Sequence, residues 1–263
     1  MNDIVKTLHA PYRSFKLTGR NFDTVADNAH VLSHLHFGGT DGSTVITDEV
    51  PANVWTAVAD AQIDTAQYKF LSVGSSLLLD GTGDYIWCPD NDKWATWRTI
   101  DFWVRFNALP INTGYMFFYS QYATADERIG FNVYNSAGTY QYNFIARTGA
   151  VNVISVTKNS PGLVVNTWYH LALVHSGDDW MIFQGGTQCG ITVTDTSPLP
   201  NIAAQIEIGR YGAASSYLNS WLAEYRISDI ARWTTSFTPP NEAYPFKLPI
   251  LHAPYRNFQI TGV

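Results

Sequence analysis

Aromatic rings beside amides and carboxylates are the chemistry this sequence offers most plainly. The stretch YIWCPDNDKWATW at 85–97 sets Trp87, Trp94 and Trp97 beside Asp90, Asn91 and Asp92, and YGAASSYLNSW at 211–221 adds Tyr211, Tyr217 and Asn219. A sugar lays its C–H face on an aromatic ring and seeks fixed polar partners for its hydroxyls, so loops of this composition are candidate glycan platforms. The competing use of Trp94 and Trp97 is to plug the open end of the fold. His34 and His36, in HVLSHLH at 30–36, stand two apart and share one face of an extended strand, where two imidazoles could hold a metal ion. No acidic or cysteine partner stands at a recognisable spacing, and the polar side of a half-buried strand accounts for both residues equally well. No G-x-S-x-G elbow is present, and the serine in HSGD at 175–178 sits in a turn, so no nucleophile is assigned.

A second feature concerns recognition between chains. LHAPYRSFKLTG at 8–19 returns as LHAPYRNFQITG at 251–262, with nine of twelve positions identical. Each copy holds a proline flanked by residues biased toward extended geometry, then an alternating tail able to pair as an edge strand. A tandem array would explain the repeat, but no second unit follows within these residues. The alternatives are two arms that pair with each other and two copies of one docking tag. On the docking reading Leu8, His9, Pro11, Tyr12, Arg13 and Phe15, with Leu251, His252, Pro254, Tyr255, Arg256 and Phe258, engage equivalent grooves of a symmetric assembly. The second arm then binds intramolecularly after the first.

Composition limits the partners. The 263 residues carry a net charge of −6 and no basic run, which argues against a phosphate backbone as the main partner. Charged and aromatic residues each make up 14 %, an aromatic share that supplies rigid contact surface beyond the needs of a core. Cys88 and Cys189 make no disulfide framework, and whether they pair cannot be read from their spacing. The opening residues lack the charged-then-apolar layout of a signal peptide, and no stretch approaches the roughly 18 apolar residues of a membrane span. The chain therefore reads as made in a cytoplasm, without membrane insertion and without a nucleic-acid partner.

The elements that would position these groups are β-strands. From about residue 76 to 228, short β-branched and aromatic runs alternate with Gly, Asn, Asp, Ser and Pro. In QYNFIA, Tyr142, Phe144 and Ala146 fall on one face; in TIDFWVRFN, Phe102, Val104 and Phe106 do the same. Trp103 and Arg105 then face away from the core, and Trp103 meets a partner or a neighbouring loop. In DGTGDY, Gly81 and Gly83 suit a tight turn that Asp80 and Asp84 close with side-chain hydrogen bonds. SDIARW at 228–233 is the one helical stretch, with Ser228 as its cap. Many short strands and almost no helix predict an all-β, two-sheet antiparallel sandwich over 30–246, with an N-terminal arm at 1–29 and a C-terminal arm at 247–263.

Seven phrases in fixed order, HFGGTDGST, AQIDTAQYKF, SLLLDGTGDYI, TIDFWVRFNALP, NTWYHLALVHSG, IEIGR and AEYRISDIARWTTSFTPP, resemble the laminin-G-like jelly rolls of the concanavalin A-like superfamily. Their wording is similar to the version found in bacteriophage virion proteins, over about residues 31–245. The resemblance implies a jelly-roll sandwich and brings calcium into consideration, with Asp41, Asp80, Asp84 and Glu224 as ligand candidates on the rim. Two departures remove carboxylates, since the family carries acidic residues where this chain has Gly38 and Ala223. Glycosidases of the superfamily carry Glu-x-Asp-x-x-Glu on a strand, and none of Glu49, Glu127, Glu207, Glu224 or Glu242 stands in that pattern. The implied function is a non-enzymatic structural protein of a phage virion, in a capsid decoration, head fibre or tail, docked by its repeated arms. Its partners are other virion subunits or copies of itself. The alternative is an adhesin or lectin-like module for a host-surface glycan, and a third reading is a divergent glycosidase.

Overall fold

The computed structural model describes residues 29–212 and 216–245, so both repeated arms lie outside the described residues. In chain order the first strands are β1 (Val31–Leu35), β2 (Val45–Ile46), β3 (Trp55–Val58), β4 (Gln62–Asp64), β5 (Ser76–Asp80) and β6 (Tyr85–Cys88). A 3-10 turn at Asp92–Thr96 leads to β7 (Thr99–Phe106), β8 (Tyr115–Tyr122), β9 (Arg128–Ser136), β10 (Thr139–Thr148) and β11 (Val151–Asn159). The series ends with β12 (Trp168–Ser176), β13 (Asp179–Gln184), β14 (Thr187–Gln188), β15 (Val193–Thr194), β16 (Ile206–Ile208) and β17 (Asn219–Ser228).

These strands form two antiparallel sheets. One runs β14-β13-β12-β7-β17-β5-β4, with β1 added to β17 and β15 to β13; the other runs β11-β10-β9-β8-β16-β6-β3-β2. Alternation decides which face of each strand is buried. Phe102, Val104 and Phe106 of β7 point inward and meet Phe118 of β8 and Phe131 of β9, while Tyr142, Phe144 and Ala146 of β10 line the opposite wall. The Phe102 ring stacks on Tyr225 of β17 with centroids 5.0 Å apart. The turn after β5 is closed as its aspartates suggest: Asp84 accepts from the Asp80 and Asp60 amides, and Asp80 accepts from the Thr82 amide.

The outer face of the first sheet is not open to water. SDIARW does not form the expected helix, because Ser228 is already paired in β17 and Thr99 Oγ1 bridges the Ile230 carbonyl and the Arg232 amide, tying the segment to β7. The segment runs on as a strap. Trp233 and Phe237 stack 4.0 Å apart and cover Ala172, Val174, Met181 and Phe183. Gly186 is required where the strap docks, since a Cβ there would lie 1.9 Å from the Phe237 carbonyl oxygen. Trp103 meets a neighbouring loop, with Lys69 Nζ 3.8 Å above its ring and Phe70 at its edge. Cys88 and Cys189 are separate buried thiols, each pushed up to about 11 by burial, and are therefore poor nucleophiles.

Candidate functional site

The second sheet, in contrast, carries a row of rings on its outer face, most of them partly exposed. In β8 Phe118 turns into the core while Tyr115 and Phe117 point outward, and a bulge between Phe117 and Tyr119 resets the alternation. β9 places Tyr134 opposite Tyr115, Asn132 opposite Phe117, Gly130 opposite Ser120 and Arg128 opposite Tyr122. Tyr115 and Tyr134 stack at 4.4 Å. Tyr211, just beyond β16, folds back over the sheet, stacking on Phe117 at 4.2 Å and meeting Tyr122 edge-on. Gly130 makes this possible, because a Cβ there would sit 2.8 Å from the Phe117 ring and 3.3 Å from Tyr211. Burial pushes the Tyr211 phenol up to about 12, so it stays a neutral hydroxyl.

Beside the rings lies a polar strip. Asn143 of β10 sits opposite Asn132, and Thr157 of β11 opposite Asn143, so hydroxyl, amide, amide and aromatic ring follow one another across four strands. Asn132 and Asn143 are buried, yet among the described residues their Oδ1 atoms find no hydrogen-bond donor and Arg128 Nε, near the Tyr211 ring, finds no acceptor. A buried amide oxygen without a partner costs about 1–3 kcal/mol, which a ligand hydroxyl would relieve once the side chains covering the oxygen move aside. In the other direction Ser120 is followed by Glu207 and then Trp87, two strands and about 10 Å away. Glu207 is held by Arg210 and accepts from Gln205 Nε2 at 2.8 Å.

The structure divides the sequence-derived ring candidates. Trp87 and Tyr211 share this face. Trp94 and Trp97 do not: both are fully buried, so as exposed platforms they are corrected. Trp94 donates to the Pro89 carbonyl, and Trp97 packs edge-on against Tyr119, Phe144 and Trp180, closing the end of the sandwich. Asn91 caps the 3-10 turn through the Lys93 amide, and Asp90 is exposed at its start. Tyr217 is half-buried in the connection to β17. Asn219 belongs to the other sheet, where its Oδ1 accepts from Asn107 Nδ2 at 3.0 Å. Tyr115, Tyr122, Tyr134, Asn132, Asn143 and Arg128 are candidates that the loop-centred reading passed over; alternation in GYMFF, RIGFNVYN and QYNFIA signals all of them but Tyr122, which reaches this face only through the bulge.

The four calcium candidates do not assemble. Asp80 and Asp84 serve the turn, and Asp41 accepts from the Thr65 amide and hydroxyl. Glu224 lies between His34 and His36 instead. His34 Nε2 is 3.2 Å and His36 Nδ1 2.8 Å from its carboxylate, which also accepts from the Tyr244 amide. Two imidazoles and one carboxylate do not suit calcium, which takes six to eight oxygens. The acidic partner that the strand spacing did not reveal is thus Glu224, 188 residues from His36. Burial pushes its carboxyl up, but the two histidines outweigh that and hold it below the ordinary carboxylate range; burial pulls His34 below its ordinary value.

The pattern of the concanavalin A-like lectin/glucanases superfamily matches residues 80–235. No curated protein matches the sequence significantly. Among solved structures, domain 4 of the GH43 extracellular arabinanase AbnA from Geobacillus stearothermophilus, determined with arabinotriose, is 12 % identical at a TM-score of 0.56, over 77 % of this chain and 93 % of that one. The binding domain of Paraclostridial Mosquitocidal Protein 1 is 15 % identical at 0.55, over 77 % of this chain and 49 % of that one. A structure of botulinum neurotoxin type C, whose cell entry depends on two ganglioside molecules, is 13 % identical at 0.55, over 78 % and 49 %. The chain spans about half the length of these two toxin chains, and at such identities the likeness concerns the fold. With well over half of its residues matched by the family pattern and two antiparallel sheets packed face to face, the chain belongs to the laminin-G-type family of the concanavalin A-like lectin/glucanases superfamily.

Proposed function

We propose that the protein is a non-enzymatic glycan-binding module that a bacteriophage virion displays through its repeated arms. One observation carries the binding part: stacked rings on the outer face of β8 and β9 adjoin two buried amide oxygens that have no hydrogen-bond partner among the described residues. Rings supply C–H stacking and the amides supply fixed acceptors, the division of labour a sugar requires. Glu207, the glutamate of this face, is tied to Arg210 and Gln205, which suits a structural carboxylate better than a general acid. The arabinanase domain, matched over 93 % of its length and solved in complex with arabinotriose, supports the reading as a sugar-bound domain of similar fold.

Immobilised polysaccharide from a bacterial surface should retain the full chain and release Tyr211→Ala, while both proteins melt alike. Equal retention of the two would remove the ring ledge from the mechanism. The virion part rests on the wording of the seven phrases and on the arms at 8–19 and 251–262. Residues 27–247 alone should fold as a monomer that still binds polysaccharide but no longer joins virion particles. Unimpaired joining would leave the arms without a docking role.

A further inference from the structure

On the opposite side of the molecule, away from the ring ledge, three metal-type ligands converge. His34 of β1 and His36, the residue just after it, lie on one side of the chain, and Glu224 reaches them from β17; one ligand atom of each lies within 4.8 Å of the others, and all three side chains are buried. Local backbone aims the carboxylate. In β17 Leu222 and Tyr225 point into the core while Ala223 and Arg226 face out opposite Trp103 and Asp101, so Glu224 is the extra residue of a bulge. Its φ of 50° is left-handed, a conformation that costs a non-glycine residue free energy and that bulges use to redirect a side chain.

We propose that His34, His36 and Glu224 bind a first-row divalent metal ion of the zinc class. Two imidazoles and a carboxylate are the borderline donor set that zinc accepts. Tetrahedral coordination at zinc's bond lengths sets ligand atoms about 3.4 Å apart; one carboxylate oxygen, Oε2, lies 3.2 Å from His34 Nε2 and 3.0 Å from His36 Nδ1, close to that already, and the three ligand atoms all lie within 4.8 Å of one another. His34 binds through Nε2, His36 through Nδ1, and water completes the sphere. Glu49, whose carboxylate is 3.9 Å from His36 Nε2, is placed to orient that ring from behind, as carboxylates do for metal-bound histidines. The ion would clasp β1 to the bulge of β17 and, through the Tyr244 amide on Glu224, to the end of the strap. This inference does not depend on glycan binding.

The test uses the full chain. After equilibration with Zn2+ and desalting, it should keep about one equivalent per chain and melt at higher temperature than the chelator-treated protein. The same chain given Co2+ should show the visible absorption of a four-coordinate nitrogen and oxygen site, a readout that needs no variant to fold. His34→Asn with His36→Asn, and separately Glu224→Gln, should lower retention at least about tenfold. His9→Ala with His252→Ala should retain the ion, which separates the buried cluster from histidines of the arms. Because the cluster is buried, uptake only on refolding with Zn2+ counts in favour as well. The proposal fails if the folded full chain takes up neither ion by either route, or if the His34, His36 double variant keeps the same equivalent.

Discussion

Asn132 and Asn143 give up water at Oδ1 with no partner among the described residues, and that cost is offset only when a donor arrives. Replacing either by alanine should therefore weaken polysaccharide binding by about 1 kcal/mol, roughly fivefold, without lowering the melting temperature. Competition binding with thermal melts checks both halves; an unchanged affinity would place the sugar elsewhere. Trp97 is the opposite case, buried among three aromatic side chains with no route to a ligand. Trp97→Ala should cost about 3–5 kcal/mol of stability by leaving a large cavity, and denaturant unfolding measures it. Any loss of sugar binding by that variant would follow from unfolding.

Two strands and a returning loop make the ledge. β8 and β9 present their outward rings because a bulge after Phe117 corrects the alternation, and Tyr211 can lie flat because Gly130 leaves room beneath it. Gly130→Ala should push the Phe117 and Tyr211 rings apart, costing about 1–3 kcal/mol as overpacking does and reducing polysaccharide retention in the same protein. A variant with wild-type stability and retention would show that the rings tolerate the methyl group. The bulge in β17 works similarly on the other sheet, where the extra residue turns a carboxylate toward two histidines from which the linear sequence separates it by 190 and 188 residues.

Across the molecule, buried ionic groups beneath the strap make stability depend on pH. His170 is enclosed by Trp103, Trp233 and Phe237, and burial pulls it below its ordinary value; burial and Arg98 do the same to the buried His175. Burial pushes the Asp101 carboxyl up, but Arg226 and His170 outweigh it and hold it well below the carboxylate range. A histidine that resists protonation in the folded state leaves the unfolded chain binding more protons, so stability is full above the unfolded value of about 6.5 and falls below it. A depressed Asp101 adds stability above about 4 that is lost as pH falls further. The signs agree. The melting temperature should be level from pH 8 to 7 and decline toward pH 5, His170 contributing up to about 1.4 kcal/mol per pH unit below its unfolded value. A flat profile from 8 to 5 would mean that His170 accepts its proton without cost.

The all-β class and the inward faces of β7 and β10 were legible in the sequence, because strand alternation is a local property: Phe102, Val104 and Phe106, or Tyr142, Phe144 and Ala146, declare their face within a few residues. The Asp80–Asp84 turn was legible for the same reason. Whether a tryptophan beside polar residues lies in water or seals a sandwich is not local, and Trp94 and Trp97 read like the exposed rings they are not. The helical reading of SDIARW failed likewise, since hydrogen bonds to Thr99, more than a hundred residues earlier, outweigh six residues of helical pattern. Both candidate sites are products of strand order. The ledge needs β8, β9 and β10 side by side with Tyr211 folded over them, and the histidine and glutamate cluster needs β1 against β17. Long-range pairing brings such groups within hydrogen-bond distance because burial of both sheets' inner faces stabilises one register, and no spacing along the chain encodes that result.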